Sequence, residues 1–356
     1  DLPIYGEKLA SHPEDFNTHV EELLYYKSNY PQQPIENIKL INSNQLLIDI
    51  KDILYLKGVG LYYKGQVLQY QGIISRGSFG VVLKFGTTST NDNFAIKIFN
   101  EEDDPEIRIT NQYNKILSKC NITPSKIIKV EKEWLPWITG WTIPKSIDTV
   151  AIQPLMDGHL RDFIERYSPL PYEIYLKIFK NIAQQLHCLE DHLLSYTDLK
   201  SSNILYKLNN NNLNINLGDI GSICKYNDEN TSTYPYPEYA LFAGDAKCDD
   251  KSMLWGLGVI LCQLVAGHNF IDYNLVVGLQ YDNLRLPPSM AFGRVNHLRE
   301  SYINRESILN IPRIVLGELT INIIELIDLF FDINNPNRSR YLTLSNLSSF
   351  EIDSTP

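Results

Sequence analysis

The apolar residues change their spacing once along this chain, near residue 155, and that change limits the architecture more than any other feature. Before it lie three short runs rich in β-branched and aromatic residues: 68-LQYQGIIS-75, 79-FGVVLKFG-86 and 93-NFAIKIF-99. Such runs, bounded by turn-forming residues, predict strands. A helix is expected over 105–119 and a further strand over 147–155. Beyond residue 156, helical spacing dominates, over 172–190, 252–267, 311–332 and 341–350. The exception is a pair of short strands, 203-NILYKL-208 and 213-LNINLGD-219, turned by the four Asn at 209–212. A strand-rich half followed by a helix-rich half predicts an α+β chain of two lobes with a cleft between them. The length of 356 residues suits two lobes. The expected division is an N-lobe over 67–155 built on antiparallel sheet and a mainly helical C-lobe over 156–356.

Residues 1–66 carry no recognisable chemistry. In "PEDFNTHVEELLYY", Phe16, Val20, Leu23 and Leu24 share one side of a helix. The stretches 38–50 and 53–70 alternate and contain Gly turns, as strands and hairpins do. An N-terminal extension packed on the first lobe is expected.

Composition narrows the partners. A chain that is 44% hydrophobic and 21% charged fits an ordinary soluble globular protein. Its net charge of −10, with no long basic run, argues against nucleic acid, which needs clustered Lys and Arg. No apolar stretch reaches the roughly 18 residues that span a bilayer. The nearest, 253-MLWGLGVILCQLVAG-267, contains Gln263 and suits a buried core helix. The first residues show no basic segment leading into an apolar one, so no signal peptide is expected. The five cysteines show neither zinc nor disulfide spacing, which predicts reduced thiols and a cytoplasmic location.

Four constellations carry chemistry. The first is Ser75-Arg76-Gly77-Ser78-Phe79-Gly80-Val81-Val82, a Gly-rich turn between strands, where backbone N–H groups can approach phosphate oxygens without a Cβ in the way. Lys97, in Ala95-Ile96-Lys97, follows at the distance of the next strand but one and could neutralise phosphate charge. The second is Asp198-Leu199-Lys200-Ser201-Ser202-Asn203. Here a carboxylate can accept a hydroxyl proton, an ammonium can stabilise a transferring phosphoryl group, and an amide oxygen can hold a metal. The third is Asp219-Ile220-Gly221, an oxygen ligand for a hard divalent cation beside a permissive Gly. The fourth is 231-TSTYPYPE-238, followed by the apolar helix containing Trp255-Gly256. Each has a bland alternative: a hairpin turn, an Asp/Ser/Asn turn, an Asp-x-Gly turn.

In this order and at these distances the four resemble the eukaryotic-type protein kinase family, over about 67–345. The resemblance implies a bilobal protein-kinase-like fold and transfer of the ATP γ-phosphoryl group to Ser or Thr hydroxyls of protein substrates, with Mg²⁺ (or Mn²⁺). It implies that Ser75, Gly77 and Gly80 cover the nucleotide phosphates with Phe79 at the tip. Val82 and Ala95 would lie over the adenine and Leu205 beneath it. Lys97 would contact the α- and β-phosphates and pair with a helix glutamate, Glu106 or, failing that, Glu102. Ile152 would be the gatekeeper, and backbone groups of Gln153 and Leu155 would bind the adenine edge. Asp198 would be the catalytic base, Lys200 the phosphoryl contact, and Asn203 and Asp219 the metal ligands. Glu238 would pair with Arg338 or Arg340.

The chain departs from the family pattern at several positions. Ser75 replaces a Gly and Ile220 a Phe. Tyr196 and Thr197 replace the usual His and Arg, removing the cation that docks an activating phosphate. Activation without phosphorylation of segment 219–238 is therefore expected. Met253 replaces an Asp that usually anchors this turn, so either Asp250 substitutes, with Ser252 as helix cap, or packing against Tyr196 does. A pseudokinase that binds or scaffolds without turnover, and a kinase of small molecules, stay open as alternatives.

Overall fold

The computed structural model describes residues 38–42, 48–77, 80–90, 92–134, 148–168, 170–228, 248–266, 313–331 and 335–353. The helical expectation over residues 16–24, Ser78 and Phe79, and the segment with Thr231, Thr233, Pro237 and Glu238 lie outside them.

The first lobe is a five-stranded antiparallel sheet of β5 (Gln69–Gly77), β6 (Gly80–Gly86), β7 (Asn93–Phe99), β8 (Lys126–Lys129) and β9 (Thr149–Pro154), in the order β5-β6-β7-β9-β8. One face buries Leu83, Phe85, Phe94, Ile96, Val150 and Ile152 in a core of its own. Gly80 has φ +143, and a Cβ there would run into the Ile98 carbonyl of the neighbouring strand. Helix α1 (Pro105–Lys119) crosses beside the sheet. Its start is written locally: Pro105 occupies the first turn, where no N–H is needed, and Asp104 accepts from the Glu106 N–H at 2.8 Å.

The second lobe is built on α2 (Leu160–Tyr167), α3 (Tyr172–Glu190) and α4 (Asp250–Ala266). Helix α3 buries Ile174, Ile178, Ile182, Leu186 and Leu189 along one side, each worth roughly 1.5–3 kcal/mol of transfer free energy. Helix α4 is apolar all round and lies in the core, with Met253, Trp255, Leu257 and Ile260 buried. It begins at Asp250, so Ser252 lies inside the helix and is not its cap. Strands β12 (Ile204–Asn209) and β13 (Asn212–Leu217) form a hairpin with Asn209 opposite Asn212, and Asn210 has φ +49 in its two-residue turn.

The segment before the first lobe reaches both lobes. Strand β1 (Lys39–Leu40) pairs parallel with β13, through Lys39 N–H to Asn211 O at 2.7 Å and Ile41 N–H to Leu213 O at 3.0 Å. Ile53, Leu61 and Tyr63 pack into the sheet core against Phe85, Phe94 and Trp134.

Two expectations fail. Residues 311–332 are not one helix: Arg313–Leu316 and Leu319–Asn322 form an antiparallel hairpin, joined on its far side by Glu351–Asp353, and the helix spans only Ile323–Phe331. Gly317, at φ +64, makes the turn. The thiols are not all reduced either. Disulfides join Cys120 to Cys188 and Cys224 to Cys248, while Cys262 is buried outside both. The pairs are separated by 68 and 24 residues, so only the folded chain brings them together.

Candidate active site

Between the lobes lies a cleft of about 190 Å³. Of the residues singled out from sequence, Val82, Lys97, Glu106, Gln153, Asn203, Leu205 and Asp219 line it. Ser75, Gly77, Gly80, Ala95, Leu155, Asp198 and Lys200 do not, although Asp198 and Lys200 stand on the loop that brings Asn203 to the lining.

The upper wall is set by an ion pair. Lys97, on β7, meets Glu106 at 2.5 Å, with side chains 18% and 8% exposed. Glu106 sits in the first turn of α1, where the helix dipole favours a carboxylate. Its other oxygen accepts from the Ser125 hydroxyl at 3.3 Å. Burial alone would push the Lys97 ammonium down. The charge and hydrogen bond of Glu106 outweigh it, so Lys97 sits above its ordinary value. Burial holds Glu106 above the usual carboxylate range despite Lys97. Glu106, and not Glu102, is the partner. Thr110, one helical turn further on, is buried at 2% exposed.

The lower wall is a short loop. Lys200 Nζ lies 2.9 Å from Asp198 Oδ2, and Asn203 Nδ2 donates to the same oxygen at 2.7 Å and to the Asp198 carbonyl at 2.9 Å. Both donor hydrogens of the Asn203 amide point at Asp198, which leaves its Oδ1 as the outward oxygen. The loop rests on α4, because Gly256 has no side chain: a Cβ there would lie 2.8 Å from the Leu199 carbonyl oxygen.

Asp219 stands at φ +42 at the head of a tight turn over Ile220–Ser222. Its carboxylate opens onto the cleft, yet the surrounding walls desolvate it. They push it above the usual range, against the attraction of Lys97 and with the help of the Asp198 charge. The turn lies against α1 at Gly221, where a Cβ would stand in ordinary contact, 3.4 Å from the Glu106 nitrogen.

The replaced pair before Asp198 holds this turn at both ends. Tyr196, fully buried, donates its hydroxyl to the Gly218 carbonyl, one residue before Asp219. Burial keeps the phenol far above its ordinary pKa, so it stays a donor. Thr197 donates its N–H at 3.3 Å and its hydroxyl at 2.9 Å to the Ser222 carbonyl. Ser195 Oγ donates to the Asp249 carbonyl at 2.7 Å, so the tie to α4 runs through Ser195 and backbone. The described hydrogen bonds do not give the Asp250 carboxylate that task.

The back of the cleft corrects the gatekeeper. On β9, Ala151 lies opposite Lys97 and Gln153 opposite Ala95. Side chains alternate along a strand, so Ala151 and Gln153 face the cleft with Lys97 while Ile152 points into the sheet core. Gln153 therefore enters the cleft by its side chain. The Leu155 N–H, expected to meet the adenine edge, is spent on the Asn93 carbonyl at 3.0 Å. Gly80 is required by the neighbouring strand, whereas a Cβ on Gly77 would meet nothing within 4 Å among the described residues. At the far end, Arg338 donates to the carbonyls of Leu329 and Phe330, and Arg340 pairs with Glu318 at 2.8 Å.

Sequence reasoning missed Ser125, His159 and Ser202, which also line the cleft. His159 is the N-cap of α2, four residues after Leu155, and was within reach of a spacing argument. Ser125 reaches Glu106 only through the fold. Chemically, the cleft offers the Asp219 carboxylate in the field of the Lys97 and Lys200 ammonium groups, with the Asn203 amide oxygen on its lining and the Asp198 charge close by. The hard oxygen donors of Asn203 and Asp219 fit a divalent cation such as Mg²⁺.

Comparison with known proteins agrees with this arrangement. The protein kinase domain family matches residues 68–338. A probable serine/threonine-protein kinase of Dictyostelium discoideum is 27% identical over 242 residues, covering 65% of this chain and 44% of that protein. A probable serine/threonine-protein kinase of Arabidopsis thaliana is 32% identical over 136 residues, 35% of each chain. A serine/threonine-protein kinase of Drosophila erecta is 25% identical over 205 residues, covering 55% of this chain and 26% of the relative. The chain thus spans less than half the length of these relatives. Family match, bilobal fold and cleft agree: this chain belongs to the protein kinase domain family.

Proposed function

We propose that the chain is an active protein kinase that moves the γ-phosphoryl group of ATP to Ser or Thr hydroxyls of protein substrates. The observation that carries this reading is the Lys97–Glu106 pair, formed at 2.5 Å on the wall of the cleft that Asn203 and Asp219 also line. A chain drifting without activity has no reason to keep a desolvated ion pair beside two oxygen ligands. The names of the relatives favour Ser and Thr as acceptors.

In this reading the Asp198 carboxylate accepts the proton of the attacking hydroxyl, held in place by Lys200 and Asn203. The Lys200 ammonium offsets charge on the group in transit, and Lys97 offsets charge on the α- and β-phosphates. Val82 and Leu205 sandwich the adenine. Asn203 Oδ1 and the Asp219 carboxylate would hold Mg²⁺, which when bound neutralises phosphate charge. Catalysis comes from positioning and charge, with no covalent intermediate.

Incubation with Mg-ATP and a generic Ser/Thr substrate, with Asp198→Asn as control, tests the assignment. Phosphate incorporation by the chain and its loss in the variant are expected. Nucleotide binding without turnover in the unmodified chain would select the pseudokinase reading. Independence of activating phosphorylation is part of the proposal, because Thr197 bonds backbone where the family's Arg would dock a phosphate. Thr231→Ala and Thr233→Ala are expected to keep activity within roughly twofold, and a large loss would contradict it. A cytoplasmic location completes the reading; in such a compartment disulfides are transient, and thiol trapping in intact cells tests it.

A further inference from the structure

Cys120 closes the C-terminal end of α1, the helix that carries Glu106, and Cys188 lies in the last turns of α3, in the other lobe. A disulfide joins them. Past the end of α3, His192 brings a ring nitrogen within 4.8 Å of both sulfurs. Its Nδ1 is 2.8 Å from the Cys188 carbonyl oxygen and its Nε2 3.4 Å from Lys119 Nζ. With the Nδ1 proton given to the carbonyl, Nε2 is the basic nitrogen. Cys120 is buried at 2% exposed, whereas Cys188 and His192 are half-buried. A small thiol therefore meets the bridge at Cys188.

We propose that Cys120 and Cys188 form a reversible thiol modification site, opened by a low-molecular-weight thiol of the glutathione type and closed by the corresponding disulfide. In opening, the glutathione thiolate attacks the Cys188 sulfur, and the electron pair of the protein S–S bond leaves on Cys120, which takes up a proton. A second glutathione thiolate attacks the glutathione sulfur of the mixed disulfide and Cys188 leaves. The two cysteines gain two electrons and two protons, and two glutathiones become one glutathione disulfide. Closing is the reverse. Thiolates form and leave more readily beside cationic groups, and Lys119, next to Cys120 and 3.4 Å from the His192 ring, supplies one here. No His joins the second disulfide, Cys224–Cys248, in such a cluster among the described residues.

The site's place in the fold gives it a consequence. The bridge ties the end of the Glu106 helix to the C-lobe, so opening it loosens the helix that completes the Lys97 pair. This consequence rests on the kinase reading; the chemistry of the site does not.

The experiment uses the full chain with Cys224→Ser and Cys248→Ser, so that one bridge remains. It is equilibrated in glutathione buffers of graded poise, alkylated and mapped by mass. Amide exchange over 105–119, melting temperature and phosphoryl transfer are followed in the same samples. The bridge is expected to open and reclose reversibly. Exchange over 105–119 should rise on opening, with a Tm lower by roughly 5–15 °C and transfer several-fold slower. Cys120→Ser should trap glutathione on Cys188, and His192→Ala should slow opening several-fold. Thiols alkylated at every poise, or a bridge that opens only on unfolding, would overturn the proposal. So would one equivalent of Zn²⁺ retained by the reduced chain and lost in His192→Ala, which would make this a metal site. Mapping and exchange need no turnover, so a chain that titrates without kinase activity defeats the kinase reading and leaves the thiol site standing.

Discussion

The two halves of the loop from Ser195 to Asn203 are built on opposite principles. Ser195, Tyr196 and Thr197 are at most 3% exposed, and their hydroxyls all donate to backbone carbonyls, at Asp249, Gly218 and Ser222. Asp198 and Lys200 are 24% and 29% exposed and bond to side chains of the same loop. The first half is a neutral anchor in the core, and the second is a charged cluster beside the cleft. Such a division explains how a His-Arg pair can be exchanged for Tyr-Thr without disturbing the charged cluster. What changes is the means of fixing the Asp219 turn, which needs donors to backbone and no particular charge.

The comparison breaks if either half does the other's work. The largest effect is expected at Asp198. Asp198→Asn should lower phosphoryl transfer roughly 10²–10⁴-fold with little change in Tm, because the amide can keep the contact to Lys200. A loss of stability comparable to that of a core mutant would show that the charged half also anchors.

Next in size is the ion pair on the upper wall of the cleft. Lys97→Met and Glu106→Leu should each cost about 3 kcal/mol of stability, because each leaves a buried partner uncompensated. The double variant should recover most of that while remaining inactive. A double-mutant cycle by denaturant unfolding measures the coupling, and additive losses would mean the pair is not energetically formed.

Tyr196→Phe removes one buried donor and leaves the Gly218 carbonyl bare, a loss of about 1–3 kcal/mol. Since Gly218 precedes Asp219, transfer should fall as well, by roughly tenfold or less, and raised Mg²⁺ should recover part of it.

The smallest effect is a pH dependence at Asp219. Its carboxyl is raised in the folded chain, so the folded state holds the proton more tightly than the unfolded state. The stability this gives is full below the ordinary carboxylate range and is lost as pH rises through the raised value. Without metal, Asp219→Asn should therefore melt slightly above the unmodified chain at pH 7, with the difference closing near pH 4. A variant less stable at pH 7 would reverse the sign.

Much of this was legible in the chain. Helices over 105–119 and 172–190 were marked by apolar spacing, and the first also by Pro105. The chemistry-bearing residues were legible because their spacing along the chain is fixed by the loops they stand on. What failed was decided by tertiary register. Ile152 and Gln153 differ by one position, and in a strand one position is the difference between core and cleft. The hairpin around Gly317 was hidden because "RIVLGELTIN" runs directly into the apolar helix at Ile323. The pairing of Lys39–Leu40 with the far lobe and the two disulfides join segments with no local signal of each other. The Tyr196 contact was foreseen only as packing, since nothing in sequence tells where a buried hydroxyl will find its carbonyl.

The most direct measurement of the division between anchor and chemistry takes initial rates of phosphoryl transfer and melting temperatures together, on the unmodified chain, Asp198→Asn and Tyr196→Phe. The account predicts that Asp198→Asn lowers transfer roughly 10²–10⁴-fold with little change in Tm, whereas Tyr196→Phe lowers the Tm and only weakens transfer. An Asp198→Asn variant that transfers phosphate as fast as the unmodified chain, or a Tyr196→Phe variant with unaltered Tm, would contradict it.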